Sequence, residues 1–282
     1  MPEVVEVRKN ADFIKKHLKN ININNINILK GRYIKKPFSI KSSIFPLKIL
    51  DIKTKGKFLY FILENNTYFL CTLGLTGGWT FFDNIRQKYL YPFKYESTKT
   101  YLNNLNIEIV SNKGSLFFFD QLSFGTFKII FNEDELLQKL KTIGPDIMDN
   151  TTDIDIFTKQ ILKKKNLEKV IGNVLVDQKI VSGIGNYLRS DILWLSCISP
   201  FRKIKDLNNV DLEIILENAK LLTCGEYSKK CKKNGDKLPK NYNRDFFVYK
   251  CNTDIYGNNV ISEKLYEGSA ERIIYWVKER QV

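Results

Sequence analysis

The sequence predicts an α+β protein: an N-terminal helix with a β-sandwich, a helical second half, and a terminal β-hairpin. Three observations carry that expectation. Val4, Val7, Ala11, Ile14 and Leu18 recur at three- and four-residue steps, the spacing of one helical face. From about residue 21 to 132 the texture changes to short β-branched and aromatic runs separated by Gly, Asn, Asp or Pro, the pattern of a sandwich or barrel. Beyond about residue 150 a helical period returns.

Taken in order, residues 2–19 read as a helix that opens "MPEVVEV". Proline suits the first helical position and acids in the first turn suit the helix dipole, so locally this is an ordinary helix start. The β region contains "KFLYFILEN", "TYFLCTL", "SLFFFDQ" and "TFKIIF". "NEDELLQKLKTIGPDIM" follows as a short amphipathic helix stopped at Gly144-Pro145. Four further segments have helical period: "DIFTKQILKKK", "LEKVIGNVLVDQKI", "NYLRSDILWLSCI" and "NVDLEIILENAKLLTCGEY". Seven basic residues and one acid between 228 and 244 suggest a mobile loop. The tail returns to strands, with "YGNN" as the expected hairpin turn. The domain organisation read from this pattern is 1–132 for helix and sandwich, 133–150 as connector, 151–243 helical, and 244–282 as hairpin.

Charge narrows the function. Lys and Arg number 45 against 31 acids, a net +14, which calls for an anionic partner. Nucleic acid leads, because it rewards distributed positive charge through counterion release. An anionic membrane needs a basic amphipathic helix or a lipid anchor, and neither is seen. No stretch reaches spanning length and the opening residues do not read as a signal peptide, so an intracellular protein is expected. The five cysteines (71, 197, 224, 231 and 251) contain no CxxC pair and fit neither a disulfide framework nor a zinc site. Cys71 and Cys197 lie in apolar runs and are expected to be buried packing residues. The single histidine, His17, lies among lysines and is expected at the surface. With one histidine, and that one among lysines, most His-based triads and multi-histidine metal sites are ruled out, so any catalysis here is expected to use carboxylates, lysine or an amine.

The segment "SGIGNYLRSD" has two readings. Gly183 and Gly185 allow a tight turn whose amides approach an anion, with Asn186 at the cap and a helix N-terminus behind it. It is equally an ordinary capped helix junction, and no strand precedes it as in a nucleotide-binding fingerprint.

"LVDQKIVSGIGNYLRSDILWLSCISP" resembles the helix–two-turns–helix element of the formamidopyrimidine-DNA glycosylase/endonuclease VIII (Fpg/Nei) family. Other features stand in that family's order: "MPE" with Glu6, "TKGKFLYF" around Lys57, "LGLTG" at 73–77, "FG" at 124–125, "IGPDIM" at 143–148, and "ERIIYW" with Gln281. The resemblance therefore spans nearly the whole chain.

It implies a bifunctional DNA glycosylase and abasic-site lyase of base excision repair, without a cofactor, acting as a monomer on damaged DNA, duplex or single-stranded. The resemblance makes Pro2 the nucleophile after methionine removal, Glu3 the general acid/base supported by Glu6, and Lys57 a phosphate-binding lysine that assists proton transfer. It makes Asn186 with the Gly183 and Gly185 amides a phosphate clamp, Arg272 the hairpin arginine beside the lesion, and Leu75 and Phe124 the wedge that fills the gap left by an extruded nucleotide. A catalytically inactive relative that binds damaged DNA is the alternative; an RNA-binding protein fits less well, having no use for Pro2, Glu3 and Lys57 in this order.

Three departures from the family pattern stand out. The finger normally carries four zinc-binding cysteines; here Cys251 stands alone and the last two positions are Val277 and Arg280, so no metal is expected and Phe246, Phe247, Tyr249, Tyr275 and Trp276 must hold the finger by packing. Val4 and Val5 replace the usual small residue and proline. Leu122 stands where the family often has an arginine that reads the opposite base. Leucine cannot donate hydrogen bonds, which leans the specificity toward oxidised pyrimidines, as in Nei-like members with a zincless finger.

Overall fold

The computed structural model describes residues 2–35, 37, 42–93, 101–227, 246–267 and 270–282. The lysine-rich stretch at 228–244 lies outside them. The chain divides into two compact units, Met1–Lys141 and Thr142–Val282.

In the first unit, α1 (Val4–Leu18) buries Val4, Val5, Val7, Asn10, Ala11, Ile14 and Leu18. Each fully buried Val, Ile or Leu contributes roughly 1.5–3 kcal/mol, so this face holds the helix down. Among the described residues nine antiparallel strands follow: β1 (Asn22–Ile28), β2 (Leu47–Lys55), β3 (Phe58–Leu63), β4 (Tyr68–Thr72), β5 (Gly78–Asp83), β6 (Lys88–Leu90), β7 (Leu105–Ser111), β8 (Gly114–Phe119) and β9 (Thr126–Ile130). A short helix, α2 (Arg32–Lys35), lies between β1 and β2, and α3 (Glu133–Lys141) follows β9. The strand order is β6-β5-β8-β7-β1-β2-β3-β4-β9.

This sheet is folded back on itself. Trp79 on β5 and Phe61 on β3 are five positions apart in that order, which in a flat sheet would separate them by roughly 24 Å. Their rings are 5.5 Å apart, and Trp79 also lies 6.1 Å from Phe127 on β9. The two halves, hinged at the short β1–β2 pairing, therefore enclose one core, in which Trp79, Phe118, Phe61 and Phe69 are all fully buried. This is the expected sandwich.

His17 departs from the sequence expectation. Its ring stacks on Phe81 at 4.9 Å and meets Phe13 edge-on at 4.8 Å, because the helix turn that carries it faces β5. Burial, reinforced by the charge of Lys16, holds its imidazole below the ordinary value of 6.5.

The second unit contains α4 (Ile154–Ile161), α5 (Ile171–Val174), α6 (Asn186–Leu195), α7 (Asn209–Tyr227) and the hairpin β10 (Ile261–Glu267) with β11 (Ala270–Trp276). "LEKVIGNVLVDQKI" forms only the single turn α5, not a full helix. Tertiary bonds override its period: Gly172 N–H donates to the Pro200 carbonyl at 3.0 Å and Ile171 N–H to Arg202 at 2.9 Å, fixing a turn where a longer helix would run. "YGNN" precedes β10 and therefore does not connect β10 to β11. It is instead a loop wrapped around buried Asp254, whose carboxylate accepts the Tyr256 and Asn258 N–H groups at 2.9 Å.

Cys197 is half-buried rather than a core residue. It sits at φ 57°, two residues past the end of α6, with Cys197 N–H bonded to the Trp194 carbonyl and Ile198 N–H to the Leu193 carbonyl. That pair is a Schellman stop, with cysteine in the left-handed position usually given to glycine. Cys71 is fully buried as expected. Among the described residues no helix is long and apolar enough to cross a membrane.

His17 has a folded-state pKa below its unfolded value, so the stability it contributes is present above that value and lost as pH falls. Lowering pH from about 7 to about 5 is expected to depress the thermal midpoint. His17→Phe keeps the stack and should flatten that fall; parallel curves for the two proteins would show that another group titrates. Asp51 does not interfere. Burial alone would raise its carboxyl, but the hydrogen bond and charge of Lys15 hold it below the carboxylate range, so its loss comes at more acid pH.

Candidate active site

Glu3 is fully buried and forms the N-cap of α1 with extended backbone. Its N–H donates to Glu6 Oε2 at 2.8 Å, which satisfies one of the donors a helix start leaves open. Pro2, partly buried, precedes it. Val4 and Val5 are both at 0% exposure, so the two bulky residues are accommodated in the buried first turn of α1.

Two polar contacts key this helix to the other candidate residues of its unit. Arg8 Nε donates to Thr54 Oγ1 at 2.8 Å, near the end of β2. The β2–β3 turn that follows is Gly56-Lys57, with Gly56 at φ 55° and Lys55 paired with Phe58. Lys57 thus sits at the tip of a hairpin registered to α1. Asn10 Nδ2 donates to the Glu6 carbonyl at 2.8 Å, while its Oδ1 accepts the Trp79 N–H at 2.9 Å. Trp79 follows directly on the loop that carries Leu75.

That loop, 73–77, and the loop 120–125 run side by side. β4 pairs with β9 at Thr72↔Thr126, and β5 with β8 at Gly78↔Phe119. Both loops therefore cross between the same two halves of the sandwich. They touch backbone to backbone: a Cβ on Gly74 (φ 61°) would lie 2.5 Å from the Gly125 nitrogen and 2.7 Å from the Phe124 carbonyl carbon. The buried Tyr33 hydroxyl, its pKa raised by burial, donates to the Gly125 carbonyl at 3.2 Å. Leu75, Leu122 and Phe124 are left exposed at 41%, 48% and 59%. None of the three is a core residue.

In the second unit, Gly185 rather than Asn186 is the N-cap of α6; its extended backbone (φ −126°, ψ −154°) ends the turn and makes Asn186 the first helical residue. Gly183 (φ 109°) has its N–H committed to Gln178 Oε1 at 2.9 Å, so it shapes the turn instead of offering an amide to an anion. Gln178 Nε2 bonds the Val176 and Ile184 carbonyls, both at 2.9 Å, which closes the turn from beneath. Asn186 Oδ1 is buried without a hydrogen-bond partner among the described residues.

Arg189, one turn along α6, carries a role the sequence reading missed. Fully buried, it donates from Nη1 to the Gly172 carbonyl at 3.2 Å and from Nη2 to the Ile273 carbonyl at 2.9 Å. Ile273 follows Arg272, which pairs with Leu265 near the closed end of the hairpin, two pairs from Glu267↔Ala270. Asp191 accepts the Val248 N–H at 2.9 Å. Asn186 and Arg272 thereby belong to one hydrogen-bonded body. The available signal was a charge inside the apolar run "NYLRSDILWL".

The finger is packed as expected, with an added cation. Trp194 stacks on Phe247 at 4.7 Å, and Phe246, Tyr249 and Tyr275 form a chain of edge contacts at 5.2 Å. The Arg280 guanidinium lies 4.4 Å over Trp194 and 5.4 Å over Tyr256, and Val277 is fully buried. Among the described residues no cluster of three or more His, Cys, Asp or Glu could hold a metal ion.

Comparison with known proteins agrees across both units. Residues 1–127 match the formamidopyrimidine-DNA glycosylase N-terminal domain, and residues 143–224 the formamidopyrimidine-DNA glycosylase H2TH domain. Formamidopyrimidine-DNA glycosylase of Ureaplasma parvum is 32% identical over 227 residues, covering 78% of this chain and 76% of the relative. That of Mycoplasma mobile is 30% identical over 222 residues, covering 78% and 75%. Among solved structures, Lactococcus lactis formamidopyrimidine-DNA glycosylase bound non-covalently to DNA containing an abasic site superposes with a TM-score of 0.76 at 19% identity, covering 99% of each chain. MutM in complex with DNA containing carbocyclic 8-oxo-G gives 0.73 at 20% identity, covering 100% of each.

The loop contact gives a paired prediction. Gly74→Ala adds a left-handed alanine and a backbone collision, and is expected to lower urea-unfolding stability by more than about 2 kcal/mol. Gly257→Ala, at φ 88° with open space around it, should cost only about 1 kcal/mol. Equal losses would mean that the two loops separate freely.

Proposed function

The chain belongs to the formamidopyrimidine-DNA glycosylase family, and on that premise we propose that it is a bifunctional DNA glycosylase and abasic-site lyase of base excision repair. The observation that carries the reading is the start of α1. Pro2 and Glu3 are held there by buried Val4 and Val5, on a helix hydrogen-bonded both to the Lys57 hairpin and to the strand behind the Leu75 loop.

With the initiator methionine removed, the Pro2 nitrogen is a secondary amine. An α-amino group titrates near about pH 8, so a useful fraction is uncharged at neutral pH. It attacks C1′ of the damaged nucleotide, and the glycosidic bond breaks with release of the base. Glu3 delivers the proton that opens the sugar ring, leaving an iminium between Pro2 and C1′. Removal of the C2′ proton then expels the 3′ phosphate, and a second elimination expels the 5′ phosphate. Lys57 binds phosphate and assists these proton transfers.

DNA, duplex or single-stranded, is the partner. Asn186 and Arg272 hold its backbone, and the Asn186 side chain supplies position rather than sequence information. Leu75 and Phe124 fill the space vacated by the extruded nucleotide. Leu122 leaves the opposite base without a hydrogen-bond donor, which favours oxidised pyrimidines over an oxidised guanine read against cytosine. The finger works without zinc, and the protein acts as a monomer.

Incubating the protein with an abasic-site duplex and borohydride is expected to trap a covalent complex, with Pro2→Gly and Glu3→Gln each reducing trapping or strand cleavage by at least about 100-fold. Failure of the unmodified protein both to trap and to cut would sink the mechanism. A chelator is expected to leave trapping unchanged; loss of activity that added zinc restores would overturn the metal-free finger.

A further inference from the structure

Asp120 is 2% exposed and opens the 120–125 loop that carries Leu122 and Phe124, facing the loop that carries Leu75. Its two carboxylate oxygens are divided between them. Oδ1 accepts the Thr76 hydroxyl at 2.6 Å, from one loop, and Oδ2 accepts the Gly125 N–H at 2.6 Å, from the other. The Thr76 oxygen in turn accepts the Leu122 N–H at 3.1 Å. Asp120's own N–H donates to Asn106 Oδ1 at 2.8 Å, and Asn106 is itself buried, so the main chain that carries the carboxylate is fixed from the β7 side.

The anchors coincide with the exposed side chains. Leu75 immediately precedes Thr76, Leu122 supplies its own N–H, and Phe124 immediately precedes Gly125. Ser123, between the last two, is in the left-handed region at φ 55°, a conformation that a serine holds only when its surroundings impose it. Gly74 and Gly125 permit the approach of the loops, but a glycine contact has no direction. A carboxylate accepting short, charge-assisted bonds from both sides does.

We propose that Asp120 is the positioning residue of the wedge: it sets Leu75, Leu122 and Phe124 in one fixed arrangement and so controls extrusion of the nucleotide rather than bond breaking at it. The inference rests on the wedge reading given above. Asp120 does not touch the substrate. It acts through Thr76 and the Gly125 amide, and a neutral amide in its place loses the charge-assisted acceptance and puts an N–H₂ against one of the two donors.

The test separates opening the duplex from chemistry. Wild type, Asp120→Asn, Thr76→Val and Thr76→Ser are each saturated with a duplex holding a tetrahydrofuran abasic analogue opposite 2-aminopurine, and fluorescence reports unstacking. Each is then assayed for excision of thymine glycol from duplex and for cleavage at a preformed abasic site. Asp120→Asn and Thr76→Val are expected to lose most of the fluorescence rise. Their excision should fall about tenfold further than their abasic-site cleavage, since an abasic nucleotide is the easier one to extrude. Thr76→Ser, which keeps the hydroxyl, should restore both. Equal losses in the two reactions, or variants that match wild type in fluorescence, would overturn the role. Should Asp120→Asn fail to fold, as read by circular dichroism, the Thr76 pair decides. A wild-type fluorescence rise without covalent trapping would remove the catalytic mechanism and leave the wedge intact; no wild-type rise removes the wedge and Asp120's part in it.

Discussion

A guanidinium sealed inside a protein must find acceptors, and breaking one partner of a buried charged pair costs on the order of 3–5 kcal/mol. Arg189 finds two of its acceptors in main-chain carbonyls from distant segments, Gly172 on α5 and Ile273 on β11. Both segments must therefore come to helix α6, and α6 begins with Asn186. The same helix accepts the finger backbone through Asp191 and stacks Trp194 against Phe247 and Arg280. One helix of ten residues, buried from Tyr187 to Trp194, thus organises the second unit. The distance from the turn to the hairpin arginine is a property of side chains rooted in a rigid rod.

The first unit solves the corresponding problem with less charge. Its helix is held by apolar burial, where five or six aliphatic side chains at roughly 1.5–3 kcal/mol each outweigh any polar contact nearby. The bonds from Arg8 to Thr54 and from Asn10 to the Trp79 N–H are worth only about 1 kcal/mol apiece. Their value is in register. Apolar packing would tolerate a small slide of α1 along the sheet, whereas a hydrogen bond to one particular amide does not, and so the terminus keeps a defined relation to the Lys57 turn. Affinity of the helix for the sheet and accuracy of its placement come from different interactions.

Periodicity and turn chemistry carried the fold into the sequence clearly. The buried stripe of α1, the strand runs and the span of α7 match what spacing alone suggests. The errors share a cause. His17 among lysines, the "LEKVIGNVLVDQKI" period and the "YGNN" turn are local patterns settled by partners far along the chain: Phe81, Pro200, and Trp194, whose indole N–H donates to Asp254 Oδ2 at 3.1 Å. Asn186 was displaced by one position because the conformation of Gly185 is not written in its identity. For the site, the resemblance supplied the residues that face outward, such as Leu75, Phe124 and Arg272. It was silent about Asp120 and Arg189, whose partners are mostly main-chain groups. A backbone N–H or carbonyl leaves no letter in a sequence, so side chains that serve them stay hidden until the chain is folded.

The side-by-side loops also bear on how the chain assembles. Gly74 and Gly125 are about fifty residues apart, and their contact requires that β4 has met β9 and β5 has met β8. Such pairings demand long loop closures and come late in folding. A chain of this charge can cling to nucleic acid before it is complete, because attraction to phosphate asks for little more than lysines and arginines. The apolar ridge that we propose enters a duplex exists only once these pairings have formed. On that proposal, a chain whose strands have not all paired would bind DNA with no ridge to open it, and the capacity to disturb a base pair would arrive together with the finished fold.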